Sequence, residues 1–178
     1  MLNNVNLEAL AKYINLIDER PNEAIAKMGV TANWQGGVNT EIITHAKNVG
    51  STGNPKKYTF NIGEPEELLG DNKFPNPQDY ILGGVAGCMM VGFVAGATSK
   101  GIKLESVQLD IIGELDLRGF LEIDSSASVG FEELQFNFKV KGEATQEQFD
   151  EIIENVRRIS PGYRTIADPV KITINRDL

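Results

Sequence analysis

The chain holds one cysteine, Cys88, and one histidine, His45. A cysteine thiolate is a strong nucleophile. It can attack a peroxide, become a sulfenic acid, and be resolved by an external thiol. One cysteine cannot close an intramolecular disulfide, so the fold is not expected to be disulfide-built. One histidine leaves no zinc constellation, and with no motif around it no Ser-His-Asp hydrolase. No loop carries the spacing of an all-carboxylate metal site, so no metal or other cofactor is expected. His45, near a strand end, reads as structural or exposed. A reactive Cys88 needs a cation or a helix N-terminus near its sulfur, while apolar burial opposes it. Arg118, Arg157, Arg158 and Arg164 are the candidate cations. The competing reading is that Cys88 is a small, inert, buried hydrophobe.

The element that must position this thiol is residues 76–101. Asn76 can cap free N–H groups, Pro77 suits a first helical turn, and Gln78 and Asp79 add an acceptor and a negative charge at the positive end of the dipole. Lys100 and Gly101 supply the stop. No charge falls between residues 81 and 97, so the helix is expected to be buried on every side. Cys88 lies about three turns in, too far for the dipole at its own helix start to help. Gly83 with Gly87, and Gly92 with Gly96, leave surface where another backbone can come close. As a membrane span the run is marginal: five glycines dilute it, no second run exists, and its flanks carry no basic cluster.

The 178 residues suffice for one domain with a core and a small appendage. A net charge of −8 argues against nucleic acid or an anionic membrane as the main partner. The start M-L-N-N-V-N lacks the basic and apolar regions of a signal peptide, so a cytoplasmic location is the expectation.

Along the chain, residues 7–26 have the apolar period of an amphipathic helix, kinked or split at Pro21, that packs outside the domain or on a partner subunit. From Val30 the period becomes two. Strands are expected at 30–34, 41–46 and 57–62, with turns at Gly36-Gly37 and G-S-T-G-N-P. Trp34 reads as core or interface before ligand wall. An acidic loop spans 64–75. Strands follow at 104–117 and 131–140, with Ile112 breaking the polar face of the first, so part of that face is expected to be covered too. A helix over 145–158 is capped by Thr145 and interrupted at Ser160-Pro161-Gly162, and a last strand covers 170–174. Helices interleaved with short antiparallel strand groups indicate α+β.

Several of these segments, in order, resemble the OsmC/Ohr family. They are T-A-N-W-Q-G-G at 31–37, P-N-P-Q-D-Y-I-L-G-G-V-A-G-C-M at 75–89, G-E-L-D-L-R-G-F-L at 113–121, V-G-F-E-E-L-Q-F-N-F-K-V at 129–140 and S-P-G-Y-R-T-I-A-D-P-V-K-I at 160–172. The resemblance begins near Val30, dividing the chain into an N-terminal helical extension, 1–28, and an OsmC-like domain, 29–178. It implies an α+β fold with antiparallel sheets and a long buried central helix, intertwined as a homodimer. It implies reduction of organic hydroperoxides through a cysteine matched by Cys88, and a dithiol partner as reductant.

The family's second cysteine, in a Cys-Pro dipeptide, is matched here by Ser160-Pro161, and its helper glutamate by Gln78 with Asp79 beside it. No arginine stands near Gly36-Gly37. Arg164, just after Ser160-Pro161, becomes the first candidate for the cation. Cys88, Ser160, Arg164, Gln78 and Asp79 are thus the expected site. Ser160 either donates to Cys88 or a substrate, or only hydrogen-bonds backbone at the helix break. Two function classes stay open. One is a one-cysteine hydroperoxide reductase using an external thiol. The other is a non-peroxidatic member that binds a small apolar or electrophilic ligand at a dimer-interface pocket, with Cys88 lining it.

Overall fold

The computed structural model describes residues 1–176, which form two units: Asn6–Gly83, and Gly84 onward together with Met1–Val5. The architecture is α+β, as the alternating periods require.

In the first unit Asn6 accepts from the Ala9 N–H and opens α1 (Leu7–Glu19). Pro21 ends it, and a 3-10 turn, Pro21–Ala24, follows. Two antiparallel three-stranded sheets come next. One pairs β1 (Ala26–Lys27), β4 (Lys47–Val49) and β5 (Thr52–Asn54) in that order; the other pairs β2 (Val30–Trp34), β3 (Thr40–Thr44) and β6 (Thr59–Ile62). The turn-rich stretch therefore contains a short hairpin, β4–β5, that its Gly, Ser and Asn content hid. In the larger sheet Ala32, Ile42 and Phe60 stand in register on one face. Trp34 is 77% exposed, with its indole N–H donating to the Gly37 carbonyl, so within this chain it is not core.

The long helix α2 (Pro77–Ser99) starts where Asn76 and Asp79 exchange hydrogen bonds, each side chain accepting from the other's backbone N–H at 2.9 Å. Tyr80 anchors this first turn by stacking on Phe60 and donating to the Asn61 carbonyl.

In the second unit α2 meets the sheet of β7 (Leu104–Ile112) and β8 (Gln135–Gly142), together with α4 (Gln146–Ile159). The core is Val85, Met89, Phe93 and Ala97 of α2 against Phe149, Ile152 and Val156 of α4, floored by Leu109, Ile111, Phe136 and Phe138. Gly92 and Gly96 let α4 close in: a Cβ at either would lie 3.4 Å from Val156 or 3.2 Å from Ile152. Thr145 and Gln148 form a reciprocal capping box that starts α4. A single turn, α3 (Leu117–Phe120), capped by Asp116, lies in the long 113–134 connection. The N-terminal arm joins this unit through Asn3. Its amide donates to Thr98 Oγ1 and the Ile102 carbonyl and accepts from the Leu104 N–H.

Three expectations need correction. α2 is not buried on every side: Val91 is 72% exposed, and a Cβ at Gly84 or Gly87 would meet nothing within 4 Å. Among the described residues of this unit, α4, Tyr163 and the β7–β8 sheet pack on one side of α2 and leave the face of Gly84, Gly87 and Val91 open. The stretch 170–174 forms no strand, because no strand among the described residues pairs with it. Ile112, expected to be covered, is exposed.

Candidate functional site

The corner between α4 and the next helix, α5 (Pro161–Ala167), carries the site. α4 runs out of helical sequence at Ser160-Pro161, because proline cannot supply the N–H that would continue its ladder. Proline instead suits the first turn of a new helix, and Ser160 becomes the cap of α5, accepting from the Tyr163 N–H at 3.3 Å. Tyr163 pins the corner, its ring edge-on to Phe136 at 5.5 Å. The Glu154 carboxylate and the Tyr163 hydroxyl hold the Arg157 guanidinium strongly in its charged form.

This corner faces Cys88. The Ser160 hydroxyl donates to the Cys88 sulfur at 3.3 Å, and the Gly162 N–H donates to it at the same distance. Ser160 is 3% exposed, whereas Cys88 is half-buried. The approach of α5 depends on glycine. A Cβ at 162 would lie 2.9 Å from Cys88 Cβ and 3.3 Å from its sulfur. The sulfur thus receives two fixed donors, one hydroxyl and one of the backbone N–H groups that an α-helix start leaves unpaired. Donors aimed at a sulfur favour negative charge developing on it, the electrostatic requirement for a nucleophilic thiol.

Of the expected residues, the structure brings Cys88 and Ser160 together. The others make different contacts. The Arg164 guanidinium pairs with Asp168, four residues on along α5, at 2.7 Å and makes no hydrogen bond to the sulfur. The remaining candidate cations are likewise engaged: Arg118 with Asp116 and Asp124, Arg157 with Glu154, Arg158 with Asn155. The Asp79 carboxylate is spent on capping α2, and Gln78 is half-buried in the same first turn. The charged helpers expected from the sequence are replaced at the sulfur by neutral ones. Gly162 is the residue that sequence reasoning missed. The signal was present, since Ser-Pro at a helix break announces a new helix start whose early N–H groups are free.

A family model described as OsmC-like protein matches residues 70–175. The sequence matches no curated protein. Among solved structures, the fold is similar to that of an OsmC-like protein from Mycoplasma pneumoniae, with a TM-score of 0.61 at 15% identity, covering 79% of this chain and 87% of that one. It is similar to an organic hydroperoxide resistance protein OsmC from Legionella pneumophila, with a TM-score of 0.52 at 18% identity over 79% and 88% of the two chains. An organic hydroperoxide resistance protein from Elizabethkingia anophelis gives a TM-score of 0.52 at 20% identity over 78% and 86%.

Proposed function

The chain belongs to the OsmC-like family, and from that premise we propose that it reduces organic hydroperoxides with Cys88 alone, using an external thiol as reductant. The observation that carries this reading is the pair of donors, Ser160 O–H and Gly162 N–H, on a half-buried Cys88 sulfur. The Cys88 thiolate attacks the peroxide R–O–O–H. A sulfur–oxygen bond forms, the O–O bond breaks, and R–O⁻ leaves to take up a proton. The sulfur has lost two electrons and is now a sulfenic acid. With Ser160 where a second cysteine would close a disulfide, an external thiol attacks instead. Water leaves as a mixed disulfide forms, and a second thiol frees Cys88 and carries the disulfide away. Ser160 and Gly162 hold the sulfur as an acceptor before attack.

The working form in this reading is a cytoplasmic homodimer. Val91, Gly84 and Gly87 leave an apolar, close-approach face on α2 open, and Ile172 and Ile174 stand exposed in a segment with alternating strand pattern but no strand partner. A second copy satisfies both.

A second reading draws on one observation: among the described residues, no arginine is hydrogen-bonded to the sulfur. In it Cys88 lines a pocket for a small apolar or electrophilic ligand. Stopped-flow oxidation by cumene hydroperoxide, with dimedone trapping and mass spectrometry, separates the two. Fast stoichiometric labelling at Cys88 that vanishes in Cys88→Ser is expected. A rate no faster than that of a free thiol would overturn the peroxidase reading.

A further inference from the structure

The basic residues of the first unit are unevenly placed. Between residues 24 and 63 stand Lys27, Lys47, Lys56 and Lys57 against a single carboxylate, Glu41, in a chain whose net charge is −8. Elsewhere Lys12, Lys73, Lys100, Lys103 and Lys139 each sit against a carboxylate. Among the described residues, none of the four lysines in this stretch does. Glu23, which touches the turn of the β4–β5 hairpin, has its carboxylate taken up by the Ser51 N–H and hydroxyl, both at 2.8 Å.

Two of the unpaired ammonium groups converge. Lys47 Nζ lies 5.8 Å and Lys56 Nζ 4.9 Å from the centroid of the Tyr58 ring. The ring face attracts each cation, yet bringing two like charges to one ring raises the local positive potential. The backbone beneath is fixed. Asn54 Oδ1 accepts from the Lys56 N–H and Thr44 Oγ1 from the Tyr58 N–H, while Lys47 pairs with Asn54 across the hairpin. The surface is therefore built before any partner arrives, which lowers the ordering cost of binding.

We propose that Lys47, Lys56 and Tyr58, flanked by Lys57, form a docking surface for an acidic polypeptide segment with neighbouring carboxylates. Tyr58 already carries two lysines on its ring, so it is no free platform for a nucleic-acid base. Neighbouring carboxylates that pair with the two ammonium groups neutralise this positive potential. This inference is independent of the chemistry at Cys88.

The test is fluorescence anisotropy of the full chain with a labelled glutamate-rich peptide, its glutamine counterpart and a single-stranded oligothymidine. The glutamate peptide is expected to bind at low ionic strength and to weaken steeply with added salt, as screened surface charges do. The double variant K47E/K56E is expected to lose about tenfold or more in affinity and K47Q/K56Q a smaller amount. Reversal of two unpaired lysines elsewhere, K141E/K171E, should leave binding near wild type. Equal loss in K141E/K171E, equal binding of the glutamine peptide, or tighter binding of oligothymidine would overturn the proposal. A change of oligomeric state by sedimentation in K47E/K56E would overturn it too, assigning the patch to contact between copies.

Discussion

The Ser160 hydroxyl lies 3.3 Å from the Cys88 sulfur, with the Tyr163 N–H donating to the same oxygen and leaving its one proton for the sulfur. Two residues 72 apart in sequence thus meet at the point where a second thiol would make the site a dithiol. The replacement Ser160→Cys is expected to convert it. After one equivalent of cumene hydroperoxide, thiol titration should find no free cysteine, the mass should show an intramolecular disulfide, and dimedone should label nothing. A persistent dimedone adduct on Cys88 in this variant would show that the two side chains cannot meet, and would remove Ser160 from the site.

Gly162→Ala tests the second donor. Its methyl would fall 2.9 Å from Cys88 Cβ, closer than side chains tolerate, so α5 must move away and lengthen the Gly162 N–H to sulfur hydrogen bond. Overpacking of this kind costs about 1–3 kcal/mol. The expected result is a folded protein with a lowered Tm and slower sulfenic-acid formation; Ser160→Ala should also slow the reaction, and it lowers the Tm through loss of the α5 cap, about 1 kcal/mol. Unchanged kinetics in Gly162→Ala would show that the N–H is a bystander.

Most of the fold was legible because it rests on local rules. The period-two run at Val30–Trp34, the caps at Asn76 and Thr145, the helix break at Pro21 and the Ser160-Pro161 corner each came from one or two residues whose chemistry admits few conformations. The β4–β5 hairpin was illegible because its strands are three residues long and carry no apolar alternation. The open face of α2 was misjudged for a different reason. Periodicity reports that a surface is apolar, not whether the same chain supplies the cover. Of the site, the Cys88–Ser160 pair could be read. The cation could not be placed, because every arginine near the corner has a carboxylate or amide partner within four residues or so along its own segment, and local pairs form at low entropic cost.

Asn3 is the least expected structural residue. Its amide satisfies Thr98, which is 3% exposed, as well as the Ile102 carbonyl and the Leu104 N–H. Asn3→Ala takes this partner from the Ile102 carbonyl and the Leu104 N–H and leaves Thr98 only its bond to the Val94 carbonyl, at a cost of about 1–3 kcal/mol. Denaturant unfolding should show this as a lower midpoint with unchanged slope, and Asn3→Asp, which keeps the acceptor for the Leu104 N–H, should lose less. An unaltered midpoint in Asn3→Ala would mean that the arm does not hold the turn after α2.

Asp116 accepts from the Arg118 N–H and guanidinium, which hold its pKa down to about 2. A depressed carboxyl contributes stability above its unfolded pKa and loses it as pH falls toward the folded value. The Asp116 carboxyl resonance is therefore expected to titrate near pH 2, and the α3 turn to hold through mildly acid pH. In Arg118→Gln the midpoint should rise toward the ordinary aspartate range, about 3.9. A wild-type midpoint already in that range would show the pair to be absent in solution.

Gly87 separates the needs of one chain from those of two. Within the chain a Cβ there would meet nothing within 4 Å, whereas one at Gly92 would already touch Val156 at 3.4 Å. Leucine at 87 should therefore cost an isolated chain nothing, and replacing an interior helical glycine favours the helix by up to about 1 kcal/mol. If α2 packs on a second copy through Gly84, Gly87 and Val91, the same leucine has no room. Sedimentation equilibrium should then give a dimer for the wild type and a folded monomer for Gly87→Leu, with a concentration-dependent Tm only in the wild type. A Gly87→Leu protein with the wild-type mass would mean that copies do not meet on this face, and the exposed Val91 and Gly84 would then need a different partner.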